Sequence, residues 1–221
     1  MTGRKMIAIS MRTTLSRDGE VRDEVSESLV MFIARAGFLP IIVPNCPSVA
    51  IQLMDQASGL VLSGGGEQVS ASKFVESRRQ ETERALLEFA IAGRIPTLGI
   101  CRGAQVINVY FGGTVRILTP PVQHVATEHP VRINPSWTAS LFDPFMLLTV
   151  NSFHQYGIAR VGPSLLVAAT APDHQVEAIE HVSHPIIGLM WHPERGCGAA
   201  EFDKAHTNLL QRLMIWPGAN R

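Results

Sequence analysis

Short, continuous apolar runs alternate along the chain with segments whose apolar residues recur every three or four positions. The runs at 6–11, 39–43, 59–62 and 97–100 are too short for stable helices and lack polar alternation. They predict strands buried on both faces. Between them, Val25, Leu29, Phe32, Ile33 and Ala36 share one face of a helix predicted over 24–36, which Gly37 stops. A second amphipathic helix is predicted over 81–92, ending at Gly93, and a third stretch runs from Cys101 to Phe111. Strands and helices in this order imply an α/β fold, a parallel sheet covered by helices on both faces. The second half is richer in strands. Segments 131–133, 147–150, 165–169, 176–179 and 186–190 are bounded by Pro, Gly, Asp and His turns, and a helix over about 199–213 closes the chain. No fixed-period repeat or low-complexity linker interrupts it, so residues 1–221 read as one domain.

Composition narrows the function classes. The 221 residues are 46% hydrophobic and 17% charged, a globular balance, and the formal net charge is zero. No overall field attracts nucleic acid or an anionic membrane, and neither is expected as a partner. Cysteine occurs three times, at 46, 101 and 197, too sparsely for a disulfide framework. A free thiol fits a reducing compartment. The first residues lack a signal-peptide core, and no apolar stretch reaches the length of a membrane span. Cytoplasmic location is the resulting expectation.

Three segments at predicted strand ends carry the candidate chemistry, as expected where parallel strands deliver their carboxyl ends to one rim. Gly99-Ile100-Cys101-Arg102-Gly103 follows a buried strand and opens a helix. This is the pattern of a nucleophile elbow, with flanking glycines that permit a tight turn. Cys101 then sits at a helix N-terminus, where backbone N–H groups favour a thiolate. Five residues alone fit a buried structural cysteine equally well; the strand before and the helix after favour chemistry. Gly188 to Glu194 ends a second apolar strand in His192-Pro193-Glu194. Pro193 biases His192 toward extended geometry, and Glu194 can orient the imidazole by accepting from one ring nitrogen. Alone it is a surface turn; beside an elbow cysteine it is a base with its orienting carboxylate. Ser63-Gly64-Gly65-Gly66 lacks the lysine of a phosphate loop but suits convergent backbone donors. A hole made of the Gly65 and Arg102 N–H groups would suit acyl transfer at Cys101; a plain flexible turn is the other reading of this segment. A fourth segment, 150–156, is either a binding loop for a small zwitterion or an ordinary polar loop, and the residues alone do not choose.

Two histidine pairs, His124 with His129 and His181 with His184, have no cysteine or carboxylate cluster beside them in sequence. No metal or organic cofactor is expected. Cys46 and Cys197 lack an elbow and a nearby base and read as structural, and Trp191 reads as packing for the strand end.

LGICRGAQVINVYFGGT, VNSFHQYG and GLMWHPER occur in this order. Together they resemble the class I glutamine amidotransferase-like superfamily, in particular the γ-glutamyl-γ-aminobutyrate hydrolase-like branch, peptidase family C26. The likeness spans nearly the whole chain, and an elbow paired with a His-Pro-Glu tripeptide is specific. It implies a flavodoxin-like core, mostly parallel, with a small additional antiparallel sheet. It implies a catalytic triad of Cys101, His192 and Glu194, with the oxyanion hole at Gly65 and Arg102. It implies that Gln105 and the loop residues Asn151, Ser152 and Phe153 bind the glutamyl group. The activity implied is cysteine-dependent hydrolysis of a γ-glutamyl amide, through a γ-glutamyl thioester and without a metal.

One departure refines this. Longer members carry an extended segment after the glycine-rich loop, whereas only residues 67–77 fill it here. The short members it resembles include hydrolases of γ-glutamyl-CDP-amidate in capsule polysaccharide biosynthesis, which makes that amidate the leading substrate. Arg78 and Arg79 either face a substrate phosphate or form a solvated first turn of the following helix. A γ-glutamyl-γ-aminobutyrate hydrolase, and a glutaminase feeding ammonia to a separate synthetase, stay open as alternatives.

Overall fold

The computed structural model describes residues 4–66, 75–119, 124–142, 147–196, 198 and 200–215, with the backbone alone for 75–77. Five parallel strands form the centre of the main sheet in the order β4 (Leu39–Val43), β1 (Met6–Ser10), β5 (Gly59–Leu62), β6 (Thr97–Ile100) and β13 (Ile186–Leu189). Their side chains alternate between two buried faces. Ile7, Ile9, Val61, Leu98, Ile100, Ile187 and Leu189 pack against α1 (Glu27–Arg35) and α5 (Ala200–Met214). Ala8, Leu60, Leu62, Ile186 and Met190 pack against α2 (Pro47–Met54), α3 (Val75–Ala92) and α4 (Arg102–Tyr110). Burial on both faces is why β1, β5, β6 and β13 read as unbroken apolar runs. β4, at the sheet edge, is apolar but only Val43 in it is buried, so the run at 39–43 is not the doubly buried strand expected.

Beyond β13 the same sheet continues antiparallel through β12 (Val176–His181), β11 (Leu165–Thr170), β8 (Val125–Ile133) and β9 (Leu147–Phe153). A branch adds β10 (Tyr156–Arg160) to β12 and β7 (Thr114–Ile117) to β10. A separate two-stranded sheet joins β2 (Arg12–Leu15) to β3 (Val21–Glu24). The Asn45 side chain holds this hairpin, donating to the Met11 carbonyl, Thr13 and Asp23.

Several elements escape the periodicity reading. β2 and β3 are polar and at most half-buried, so their order comes from pairing with each other rather than from an apolar face. β7 and β10 are short, and α2 is a brief helix begun by Pro47 in its first turn. β8 starts six residues before the expected strand at 131–133: 125–130 are largely exposed and are held by backbone pairing to β9. Helix α3 starts at Val75 rather than at 81, so the short segment at 67–77 includes its first turn, and 67–74 lie outside the described residues. Among the described residues, no helix is long and apolar enough to cross a membrane.

Candidate active site

β5, β6 and β13 are neighbours in the parallel sheet, so their carboxyl ends deliver the glycine-rich loop, Cys101 and His192 to one rim. Their proximity is geometric. A β-carbon built on Gly64 would lie 2.9 Å from His192 Cε1 and 3.4 Å from Cys101 Cβ. Both side chains line a cavity of about 510 Å³, together with Gly65, Gly66, Arg102, Gln105, Val125, Phe153, His154, Gln155, Tyr156 and Arg195.

The elbow works differently from the sequence reading of its glycines. Cys101 itself carries the unusual backbone, φ 51° and ψ −102°, outside the left-handed well open to ordinary residues. Its N–H donates to the Leu189 carbonyl at 2.7 Å, which ties the bend to β13. Gly99 and Gly103 do not take a positive φ. They are required for close approach: a β-carbon on Gly99 would sit 2.6 Å from the Gly103 backbone, and one on Gly103 only 2.2 Å from the Leu62 carbonyl oxygen. Helix α4 therefore rests directly on β5 and β6, with Cys101 above its first turn.

His192 is nearly fully buried and its Nδ1 lies 2.7 Å from Glu194 Oε1. Its backbone N–H donates to Asn151 Oδ1 at 2.8 Å, and its carbonyl accepts from Asn151 Nδ2 at 2.8 Å. Burial pulls the imidazole's pKa down. Hydrogen bonds with Cys101 and Glu194 and their negative charges outweigh it, and the value is pushed up to about 9. The charged form of His192 thus adds stability in full below about 6.5, and that contribution is lost as pH rises through about 9. Cys101 supplies the largest of the raising contributions. Cys101→Ala is accordingly expected to bring the His192 titration, followed by NMR of labelled histidine, down from about 9. A titration unchanged in the variant would contradict the coupling.

The glycine-rich loop is held from beneath by charges the sequence reading missed. Arg79 is buried and donates to the Gly65 carbonyl at 2.7 Å, the Ser63 carbonyl at 2.8 Å and Glu83 at 2.8 Å. Glu83, fully buried, also accepts from Arg102 at 2.6 Å and from Ser10 Oγ at 3.2 Å. One carboxylate therefore bridges the two residues read as the oxyanion hole, Gly65 through Arg79 and Arg102 directly. Arg79 is buried in this network rather than part of a solvated first turn, while Arg78 is exposed. Arg79 lies outside the helix predicted over 81–92, and nothing in the sequence marks Arg79 and Glu83, four residues apart, as a buried pair.

The other anticipated residues are distributed as follows. Gln105 lines the cavity and donates to the Tyr156 carbonyl at 3.1 Å. Phe153 lines the cavity, 5.8 Å from the His192 ring and 4.7 Å beneath the Arg195 guanidinium. Asn151 and Ser152 lie inside β9 rather than in a loop, both buried. Asn151 holds the His192 backbone as above, and Ser152 donates to the His124 carbonyl at 2.9 Å; neither is among the residues that line the cavity. Arg195 is a cavity cation that sequence reasoning passed over, although it directly follows the His-Pro-Glu tripeptide. Trp191 is fully buried and donates to His206 at 2.8 Å. Cys46 is an exposed free thiol, and Cys197 lies outside the described residues.

Residues 5–194 match the model of the family described as Peptidase C26. The chain belongs to the peptidase C26 family. Among C26-like relatives, it is 34% identical over 158 residues to the γ-glutamyl-CDP-amidate hydrolase of Campylobacter jejuni, covering 71% of this chain and 68% of that protein. It is 31% identical over 204 residues to the γ-glutamyl-γ-aminobutyrate hydrolase of Escherichia coli O157:H7, covering 80% of each. A glutamine amidotransferase from Thermotoga maritima superposes with a TM-score of 0.73 at 13% identity, covering 96% of this chain and 99% of that one, which shows the shared fold. The C26 chain described here thus has the class I glutamine amidotransferase architecture, with its cavity at the strand ends.

Proposed function

We propose that this C26 chain is a γ-glutamyl amidohydrolase with a catalytic triad of Cys101, His192 and Glu194. The observation that carries the reading is the convergence of Cys101 and a Glu194-bound His192 on one cavity from adjacent parallel strands. The Cys101 thiolate attacks the γ-carbonyl carbon, and the carbonyl π electrons move onto oxygen. The Gly65 and Arg102 N–H groups hold that oxyanion. Arg102 opens α4, so its N–H belongs to the first turn, whose amides lack intrahelical acceptors. Imidazolium His192 gives its proton to the leaving nitrogen as the C–N bond breaks, leaving a γ-glutamyl thioester on Cys101. His192 then takes a proton from water, hydroxide adds to the thioester, and collapse releases glutamate and the thiolate. Glu194 keeps the ring oriented throughout.

Gln105 and Phe153 hold the glutamyl chain, and Arg195 meets its α-carboxylate. Asn151 and Ser152 act as positioning residues behind the site, Asn151 through the His192 backbone. The leading substrate is γ-glutamyl-CDP-amidate, supported by the similarity to the Campylobacter enzyme and by the short segment at 67–77. Such an activity would belong to capsule polysaccharide biosynthesis. The test is glutamate release from this amidate, from γ-glutamyl-γ-aminobutyrate and from glutamine, each with the purified chain. Kcat/KM is expected to be highest for the amidate, by at least tenfold. Preference for glutamine would favour a glutaminase working with a separate synthetase. An electrophilic glutamine analogue is expected to leave one γ-glutamyl-type adduct on Cys101 by mass spectrometry, and labelling elsewhere with activity retained would remove the thioester route.

A further inference from the structure

The antiparallel half of the sheet gathers a second set of reactive side chains around Glu177. His124 precedes β8, His129 lies within it, His154 follows β9, and Glu177 lies in β12. Glu177 is fully buried, and among the described residues no Lys or Arg pairs with it. Its Oε1 lies 3.2 Å from His124 Nδ1, 3.6 Å from His154 Nε2 and 3.9 Å from His129 Nε2. None of these four atoms, nor Glu177 Oε2, has a hydrogen-bond partner.

The outer ring nitrogens explain why. His124 Nε2 lies 2.9 Å from Asp173 Oδ2, His154 Nδ1 lies 3.1 Å from the Tyr156 carbonyl, and His129 Nδ1 lies 3.3 Å from the Pro130 carbonyl. Those oxygens only accept, so each outer nitrogen carries the ring proton. In a neutral imidazole the inner nitrogen then presents a lone pair. With neutral imidazoles, three inner lone pairs face a buried carboxylate, and a bound cation would satisfy all of them. Spacing selects the cation. Zinc–nitrogen and zinc–oxygen distances of about 2.0–2.1 Å place tetrahedral ligand atoms about 3.3 Å apart. The inner atoms of His124, His154 and Glu177 all lie within 4.8 Å of one another. The outer contacts match the carboxylate and carbonyl acceptors that orient metal-bound histidines.

We propose that His124, His154 and Glu177, with His129 beside them, form a structural site for a divalent transition-metal ion of the zinc class. Sequence reading paired His124 with His129 only and expected no metal, because the remaining ligands come from distant strands. The ion would clamp β8, the turn after β9 and β12 together. That turn carries His154, Gln155 and Tyr156 into the cavity wall, so the metal would stiffen one side of the active site without touching the reacting atoms.

The test uses the full chain, stripped with a chelator, reloaded with one equivalent of Zn²⁺ and desalted before elemental analysis. Retention of about one zinc per chain and a thermal midpoint several degrees above that of the stripped protein are expected. Cys101→Ala should retain the zinc, and Glu177→Gln should bind it at least tenfold more weakly. Should Glu177→Gln fail to fold, Co²⁺ in the wild-type chain gives an independent reading. Tetrahedral visible bands without a thiolate charge-transfer band support the site. Substoichiometric zinc in the wild type, zinc lost in Cys101→Ala, or a cobalt thiolate band would overturn it.

Discussion

Cys101→Ala is expected to lower glutamate release by on the order of 10⁶-fold, because removing the nucleophile of a covalent mechanism costs about as much as removing the whole triad. Cys101→Gly should be equally inactive yet more stable than Cys101→Ala. The backbone at Cys101 lies at φ 51° and ψ −102°, a region that costs a residue with a β-carbon roughly 1–3 kcal/mol. Glycine relieves that strain but loses about 0.5–1 kcal/mol to the entropy of its unfolded chain. A net gain of about 1 kcal/mol corresponds to a rise of roughly 2–4 °C in Tm for a chain of this size. Calorimetry of the two variants isolates the strain, since neither has a thiol. Equal Tm values would mean that the elbow stores none, and turnover by either variant would rule out attack by sulfur.

Glu83→Gln is expected to be the most damaging single change to the fold among the charged residues described. Glu83 is fully buried between Arg79 and Arg102, and neutralising it removes the carboxylate charge that both buried guanidinium groups face. Breaking such a pair costs roughly 3–5 kcal/mol, which is on the order of 10 °C in Tm for a chain of this size. Burial pushes the Glu83 pKa up, but the two guanidinium charges more than reverse this and hold it below 4.5. Its contribution is therefore present above about 4.5 and is lost as pH falls through the depressed value. Urea unfolding at neutral and acidic pH checks both points. The variant should be much weaker near neutrality, with the gap closing in acid. Activity should fall by about 100-fold even below the melting range, because Arg79 anchors Gly65 and a misplacement of about 1 Å at a reacting group costs that much. A variant of normal stability and activity would show that the network does not hold the loop.

The legibility of the site follows the same physics. Cys101, His192 and Glu194 could be singled out because each belongs to a local pattern, a strand end followed by a turn whose residues are constrained in sequence; Gln105 came only from the family resemblance. Arg79 and Glu83 could not be, because two charges four residues apart look the same whether they face water or a loop. The residues of 150–156 left a binding loop and an ordinary polar loop both open, and the binding role of Asn151 and Ser152 came only from the resemblance; both side chains are buried and engaged by backbone groups. The glycines of the elbow were legible as needed, but the reason differs: they make room for backbone contact, while the strained φ falls on the cysteine.

Taken alone, the chain's order of residues determined the parallel core. Strands buried on both faces must be apolar throughout, and helices that cover them must repeat their apolar positions with the helical period, so both leave a local trace. Tertiary structure decided the rest: the pairing of polar strands β2, β3 and β8, the burial of Glu83 between two arginines, and the meeting of His124, His129 and His154 around Glu177. Those features depend on which distant segments become neighbours. Backbone pairing and charge complementarity act across space and impose no periodicity on the segments they join.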